Sequence, residues 1–320
     1  MTGASRVFIV CPRHKTGGTE QLHQLCDTLN RIGADASIVY HMANTKADHS
    51  VLYPEFGDVK VSARIEDASD SVIIFPEVAR VSEFRQMFPQ STIALYWLSY
   101  TNAALLGMLK ENVAVDSGAI HLFQSYYEYA MIRPFLSWQT WWFFVTDHIH
   151  DEYVDLDPDT FVEHKQDVVC FNANKDRITG NICQKLAIPA IGLKGMSRRQ
   201  VNETLRRCKV YVDNGYHPGK DRMPREAAMH GCVVITNKSG SAAYWEDVPI
   251  EEKVTLEQDL YKLIPDVFAN YRAYFDKQAH YREVIRSEKE AFRINVENFW
   301  RAISAELPPP EGLSSLRGDS

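Results

Sequence analysis

The sequence predicts two α/β lobes, each a parallel sheet wrapped by helices on both faces, and three observations carry that reading. Short apolar runs alternate with helical patterns in two separate series. The chain has 320 residues, which at roughly 100 to 200 residues per domain means about two domains. Between the two series lies Asp147 to Gln166, a stretch that is acidic, rich in His and turn residues, and poor in periodicity.

The first series opens with Arg6 to Cys11, an apolar run too continuous to be half exposed, followed by Pro12, Gly17, Gly18 and a helical pattern from Thr19 to Arg31. Leu22, Leu25, Cys26 and Leu29 fall at helical spacing, Gly33 stops the helix, and Ala36 to Tyr40 reads as the next parallel strand. Strands follow at Ser71 to Phe75, Ile93 to Leu98 and Ile120 to Phe123, separated by helical stretches at Val81 to Phe88 and Thr101 to Leu109. The aromatic block Trp138 to Phe144 reads as core or interface packing. The second series runs strand Val168 to Phe171, helix Asp176 to Leu186, strand Pro189 to Leu193, helix Ser197 to Cys208, strand Val210 to Asp213, helix Pro224 to His230 and strand Cys232 to Thr236. Leu256 to Trp300 is charged and helical in pattern. The expected division is 1–160, 161–280, a crossing helix at 281–306 and a loose tail at 307–320.

Composition excludes several classes. The 35 Lys plus Arg against 42 Asp plus Glu give a net charge of -7, so no global basic field recruits nucleic acid. No apolar stretch approaches the roughly 20 residues of a bilayer span, and no leader pattern opens the chain. The expectation is a cytoplasmic protein, with peripheral membrane contact left open. The six cysteines are scattered without a C-x-x-C pair, which suits reduced thiols rather than a disulfide frame or zinc site. Hydrolase elbow, Walker and dinucleotide fingerprints are missing.

Pro224-Arg-Glu-Ala-Ala-Met-His-Gly-Cys-Val-Val-Ile-Thr236 resembles the nucleotide-sugar motif of the GT-B glycosyltransferases, especially retaining family 4, and Gly17-Gly18-Thr19-Glu20 resembles their amino-terminal Gly-Gly loop. Trp97-Leu98-Ser99, His121 to Ser125 and His217-Pro-Gly-Lys-Asp-Arg-Met-Pro-Arg-Glu226 are similar to a sub-group of bacterial and viral glycosyltransferases. Pro218 and Gly219 stand where family 4 usually has its first Glu. The resemblance implies two Rossmann-like lobes facing across a cleft, with carboxy-terminal helices crossing back to the first. The first lobe would take the acceptor and the second a UDP- or GDP-type sugar donor. It implies sugar transfer to a polysaccharide or glycoconjugate, with retention and no metal. An epimerase or phosphorylase on the same fold, or a non-catalytic nucleotide- or sugar-binding protein, are the alternatives.

The residues can meet that chemistry. A nucleoside diphosphate sugar carries two negative charges and its leaving group gains charge, so cations and helix amino termini should surround it. Asn172-Ala-Asn-Lys-Asp-Arg177 follows the first strand of the second lobe, where parallel sheets bind ligands. Lys175 is the first phosphate contact expected there and Arg177 the second, with Asn172 beside them. Lys220, Arg222 and Arg225 lie at the start of the helix that carries Glu226, where positive charge opposes the helix dipole unless an anion is bound; Asp221 can cap that helix or pair with an Arg. The resemblance assigns Glu226 to the ribose and His121 to the sugar. Gly17 and Gly18 would let the backbone approach phosphate and acceptor, and Ser239 opens another donor-facing loop. Asp155-Leu156-Asp157, with Asp147, His148, His150 and Asp151, has the residue types of a metal site but reads as solvated linker charge.

Overall fold

The computed structural model describes residues 5–41, 50–113 and 118–305; the expected tail at 307–320 lies outside them. The chain divides into two compact units, one built from residues up to Asp147 together with those from Glu290 on, the other from His148 to Lys289.

The first unit holds a seven-stranded sheet. Its strands are β1 (Arg6–Pro12), β2 (Asp35–His41), β3 (Lys60–Val61), β4 (Ser71–Pro76), β5 (Thr92–Trp97), β6 (Ile120–Phe123) and β7 (Trp142–Phe144), in the order β3-β2-β1-β4-β5-β6-β7. All neighbours are parallel. Alternate residues of each strand serve opposite faces, and both faces are apolar, which is why the strands read as continuous runs. Val7, Ile9 and Cys11 pack with Leu22, Leu25 and Leu29 of the helix Gly17–Arg31 on one side. Val10, Ile73, Phe75 and Leu95 pack with Val81 and Phe84 of the helix Val81–Met87 on the other. Part of the aromatic block forms the edge strand β7, while Trp138 is 73% exposed. Two strands, β3 and β7, therefore escaped the sequence reading: the first is only two residues long, and the second hides its alternation in consecutive aromatics.

The second unit holds a five-stranded parallel sheet of β8 (Gln166–Phe171), β9 (Ala190–Gly192), β10 (Cys208–Asp213), β11 (Val233–Asn237) and β12 (Lys253–Val254), in the order β12-β11-β10-β8-β9. Val169, Val210, Val212, Val233 and Ile235 face Leu260, Ile264 and Val267 of the helix Leu260–Ala269. Leu205, Ala227, Ala228 and Met229 cover the other face. The six cysteines of the chain are all free and buried. The stretch expected as one helical run after Leu256 is broken into helices Leu260–Ala269, Tyr271–Lys277 and Ala279–Ser304.

That last helix serves both cores in turn. Tyr281 and Ile285 belong to the core of the second unit, whereas Phe292, Val296 and Phe299 belong to the core of the first. The spacing 281, 285, 292, 296, 299 is one helical stripe with a single gap, and Glu288 fills it. A carboxylate on a buried stripe requires a partner.

Candidate functional site

Each sheet reverses its strand order once, between β1 and β4 in the first unit and between β8 and β10 in the second. At such a reversal the loops leaving the two neighbouring strands diverge to opposite faces and open a crevice at their carboxyl ends. In the second unit these loops are 172–178 and 214–221, the segments that carry the expected donor residues.

Asn172 turns the chain back after β8, its carbonyl accepting from the amides of Lys175 (3.0 Å) and Asp176 (2.9 Å). Asp176 then accepts from the amides of Ile178 and Thr179 and starts the helix Thr179–Lys185. Lys175 and Arg177 are exposed on this loop. The loop meets its neighbour at Gly215, where a Cβ would lie 2.6 Å from the Lys175 Cβ. Glycine is what lets the two loops touch.

The second loop is held from behind. Gly240 has φ +55°, and a Cβ there would lie 1.7 Å from the His217 carbonyl oxygen. The Ser241 amide donates to that carbonyl (3.1 Å) and the Ser241 hydroxyl to the Gly219 carbonyl (2.6 Å). Asn237 Nδ2 donates to the Gly215 carbonyl (2.6 Å), and its Oδ1 accepts from the Ser239 amide (3.1 Å). The segment around Ser239 thus buttresses the 214–221 loop.

Within this frame lies a charged chain. Lys175 Nζ is 2.6 Å from Asp221 Oδ2, the same oxygen is 2.9 Å from His217 Nδ1, and His217 Nε2 is 3.2 Å from the Asp213 carbonyl oxygen and 3.8 Å from its Oδ1. Tyr211 donates its hydroxyl to Asp213 Oδ2 (2.9 Å). Asp213 and His217 are buried, at 0% and 1% exposed. Burial alone would lower His217, but the hydrogen bond to Asp221 and the charges of Asp213 and Asp221 outweigh it and hold the imidazolium above the usual range. Burial works against the charge on Asp221, yet His217 and Lys175 keep its carboxyl below the usual range. Burial pushes the Asp213 carboxyl up. Asp213, His217 and Asp221 bring one donor atom each within 4.8 Å of one another, a spacing a divalent ion could bridge. The Lys175 ammonium, 2.6 Å from Asp221 Oδ2, already stands as a cation there.

Asp221 stands at the N-cap of the helix Arg222–Met229, but its side chain makes no capping bond. It is turned instead to Lys175 and His217. The cations at this helix start are settled by a different acid: Arg225 Nη1 is 2.7 Å from Glu288 Oε2 and Lys220 Nζ is 2.9 Å from Glu288 Oε1. Arg225, 1% exposed, also donates to the carbonyls of Asp221 (3.2 Å) and Lys220 (3.0 Å). The gap-filling Glu of the long helix is therefore the counter-ion that the charge excess called for. Arg222, the first residue of the helix, and Glu226, in its second turn, are partly exposed at the same strand ends.

His121 sits inside β6, fully buried. Trp97 Nε1 donates to its Nδ1 (2.9 Å), the two rings stack, and burial pushes the imidazolium pKa down to about 4. This places a neutral ring within the sheet of the first unit. Gly17 and Gly18 open the helix after β1, capped by Thr16. Glu77, at the end of β4 beside the strand reversal, is 2% exposed. Its Oε2 accepts from the Leu98 amide (3.1 Å), and burial pushes its carboxyl up to about 7. Asp155 and Asp157 are exposed, and Asp151 pairs with Lys289 (2.6 Å).

No protein-family model matches the chain, and no curated protein matches it in sequence. Solved structures do match in shape. The sucrose-phosphate synthase of Thermosynechococcus elongatus superposes with a TM-score of 0.66 at 11% identity, covering 93% of this chain and 98% of that one. The Anabaena protein HepE, solved in complex with UDP-glucose, gives 0.63 at 12% identity over the same shares. WaaG, a glycosyltransferase involved in lipopolysaccharide biosynthesis, gives 0.55 at 10%, covering 94% of this chain and all of that one. The chain has the GT-B glycosyltransferase fold. At these identities the match fixes architecture, and residue roles rest on the chain's own geometry.

His217, Asp213, Glu288 and Glu77 were not among the expected site residues. Two of them had a readable signal: Asp213 ends an otherwise apolar strand, and Glu288 interrupts an apolar helix stripe.

Proposed function

We propose that the protein is a glycosyltransferase that moves a sugar from a nucleotide-sugar donor to a hydroxyl of a carbohydrate or glycoconjugate acceptor. The observation that carries this reading is the grouping of Lys175, Arg222 and Glu226 on one loop and one helix at the strand reversal of the second sheet, with Lys220 and Arg225 held behind them by Glu288. Lys175 and Arg222 would meet the diphosphate, helped by the helix amino terminus, with Arg177 and the Asn172 turn beside them. Glu226 would accept from the ribose hydroxyls. The buried pair of Arg225 with Glu288 fixes the helix that presents both. Gly17 and Gly18 would line the acceptor region of the first unit.

The resemblance to family 4 favours retention. In that chemistry the anomeric carbon–phosphate bond breaks as the acceptor oxygen bonds the same face, and the departing phosphate oxygen takes the acceptor's proton. No protein carboxylate pair of the hydrolase kind is then needed, and cationic side chains balance the leaving charge without a metal. UDP-glucose bound to HepE makes a UDP sugar the first donor to test.

The test is thermal unfolding with UDP, GDP, ADP, CMP and their sugars, repeated on Lys175→Ala and Glu226→Ala. At a hundredfold excess over Kd a true donor adds about 2.7 kcal/mol of apparent stability. One nucleotide family should stabilise the parent and neither variant; no response to any nucleotide refutes the donor site.

A further inference from the structure

We propose that His217 is a positioning residue of this donor site: its two ring nitrogens clamp Asp221 on one side and the Asp213 carbonyl on the other, and by sharing Asp221 they set how firmly that carboxylate holds the Lys175 ammonium that meets the diphosphate. The inference rests on the donor reading above and adds a residue that neither the resemblance nor the sequence patterns assign.

The argument is one of donors and acceptors. The Asp213 carbonyl oxygen, 3.2 Å from His217 Nε2, can only accept. Asp221 Oδ2, 2.9 Å from Nδ1, also receives the Lys175 ammonium at 2.6 Å, so it is a carboxylate and again an acceptor. A neutral imidazole has one N–H and could satisfy only one of them. Both are met when the ring carries two protons, as an imidazolium. Of the other neighbours, Asp213 Oδ1 lies 3.8 Å away and its charge favours the second proton, while the Lys175 charge opposes it without outweighing the two carboxylates. Tyr211 holds Asp213 Oδ2, and the Ser241 amide fixes the His217 carbonyl.

The consequence is a proton count linked to ligand binding. With the proton present, Asp221 is shared between two cations and holds Lys175 loosely enough to turn to a phosphate. With it gone, one acceptor loses its donor, the site loses a positive charge, and Asp221 keeps Lys175 for itself. UDP-glucose, whose diphosphate does not titrate near neutrality, should bind more weakly as pH rises through the His217 titration. One linked proton allows at most about tenfold in Kd per pH unit.

The experiment uses the full chain. Titration calorimetry gives the Kd of UDP-glucose from about pH 6 to pH 9, across the histidine range, for the parent, His217→Gln and Asp221→Asn, while imidazole NMR follows His217 in the free protein. The expected results are an imidazolium that persists above the ordinary histidine range, a Kd that rises with pH in the parent, and a flat profile in His217→Gln. Asp221→Asn should release Lys175, bind UDP-glucose at least as tightly as the parent, and lower the His217 titration, which keeps the test decisive if His217→Gln does not fold. A His217 ring already neutral at pH 6.5, or a pH profile identical in parent and His217→Gln, overturns the clamp alone. Failure of the parent to bind UDP-glucose or any other nucleotide sugar at every pH refutes the donor reading, and the clamp's role falls with it.

Discussion

The two sheets reverse strand order in the same way and end in opposite chemistry. At the first reversal the cations of the β1 loop lie on aromatic faces, Arg13 over Tyr40 at 4.6 Å and Lys15 over Tyr53 at 5.1 Å, and the acid Glu77 is buried against a backbone amide. At the second, Lys175, Lys220 and Arg225 lie against the carboxylates of Asp221 and Glu288, with the His217 ring among them. Topology opens both crevices, but the loop sequences decide what each can hold. Cations on carboxylates can be drawn over to a stronger anion, whereas a lone buried carboxyl is poised to stay neutral. The donor proposed above needs an end of the second kind.

The sharpest way to break this contrast is to remove the shared counter-ion of the second end. Glu288→Ala takes the carboxylate away from Arg225 and Lys220, whose side chains are 1% and 10% exposed. Breaking a buried pair from one side costs about 3 to 5 kcal/mol, and urea unfolding should register a loss of that order. A loss under about 1 kcal/mol would mean that these charges reach water and that the second end is not organised by internal pairing.

The first end makes the next largest prediction, and its sign is opposite. Glu77 releases its proton near 4.5 in the unfolded chain and at about 7 in the folded one. Between those values the folded state binds more protons, so stability falls as pH climbs through that window and stays lower above it. A shift of this size corresponds to roughly 3 kcal/mol. Glu77→Gln keeps an acceptor for the Leu98 amide and carries no charge, so it should be more stable than the parent at pH 8 and indistinguishable at pH 4. Unfolding free energies at the two pH values check this, and equal parent and variant stability at pH 8 would show that Glu77 is ionised without penalty.

What the sequence revealed follows the same division. Doubly wound sheets were legible because both faces of each strand are apolar, so Arg6 to Cys11 or Val210 to Asp213 could only be buried. The helix carrying Glu226 was legible from its motif, although it starts at Arg222 rather than Pro224; a Pro in the first turn needs no amide donor and does not mark the first residue. The edge strands β3, β7 and β12 were not legible, being two or three residues long. The cations near Glu226 were noticed as an excess, but their counter-ion comes from Glu288, 63 residues beyond Arg225, and no local pattern pairs residues that far apart. His217 was seen as part of a motif. That both its nitrogens face acceptors depends on the folding back of β10 and its loop, which spacing alone does not give.

The smallest effect separates binding from stability within the second end. Lys175 and Asp221 form the shortest link of the charged chain, at 2.6 Å, yet their side chains are 31% and 20% exposed. Water screens such a pair, and ordering a lysine costs entropy, so its net worth is about 1 kcal/mol or less. Removing Lys175 also leaves Asp221 with His217, so no buried charge is stranded. Lys175→Ala should therefore unfold within about 1 kcal/mol of the parent, far from the loss expected of Glu288→Ala, while losing its response to nucleotide sugars. Urea titration without ligand decides it. A stability loss as large as that of Glu288→Ala would make Lys175 part of the scaffold, and the exposed half of the charged chain would no longer be free to serve a ligand.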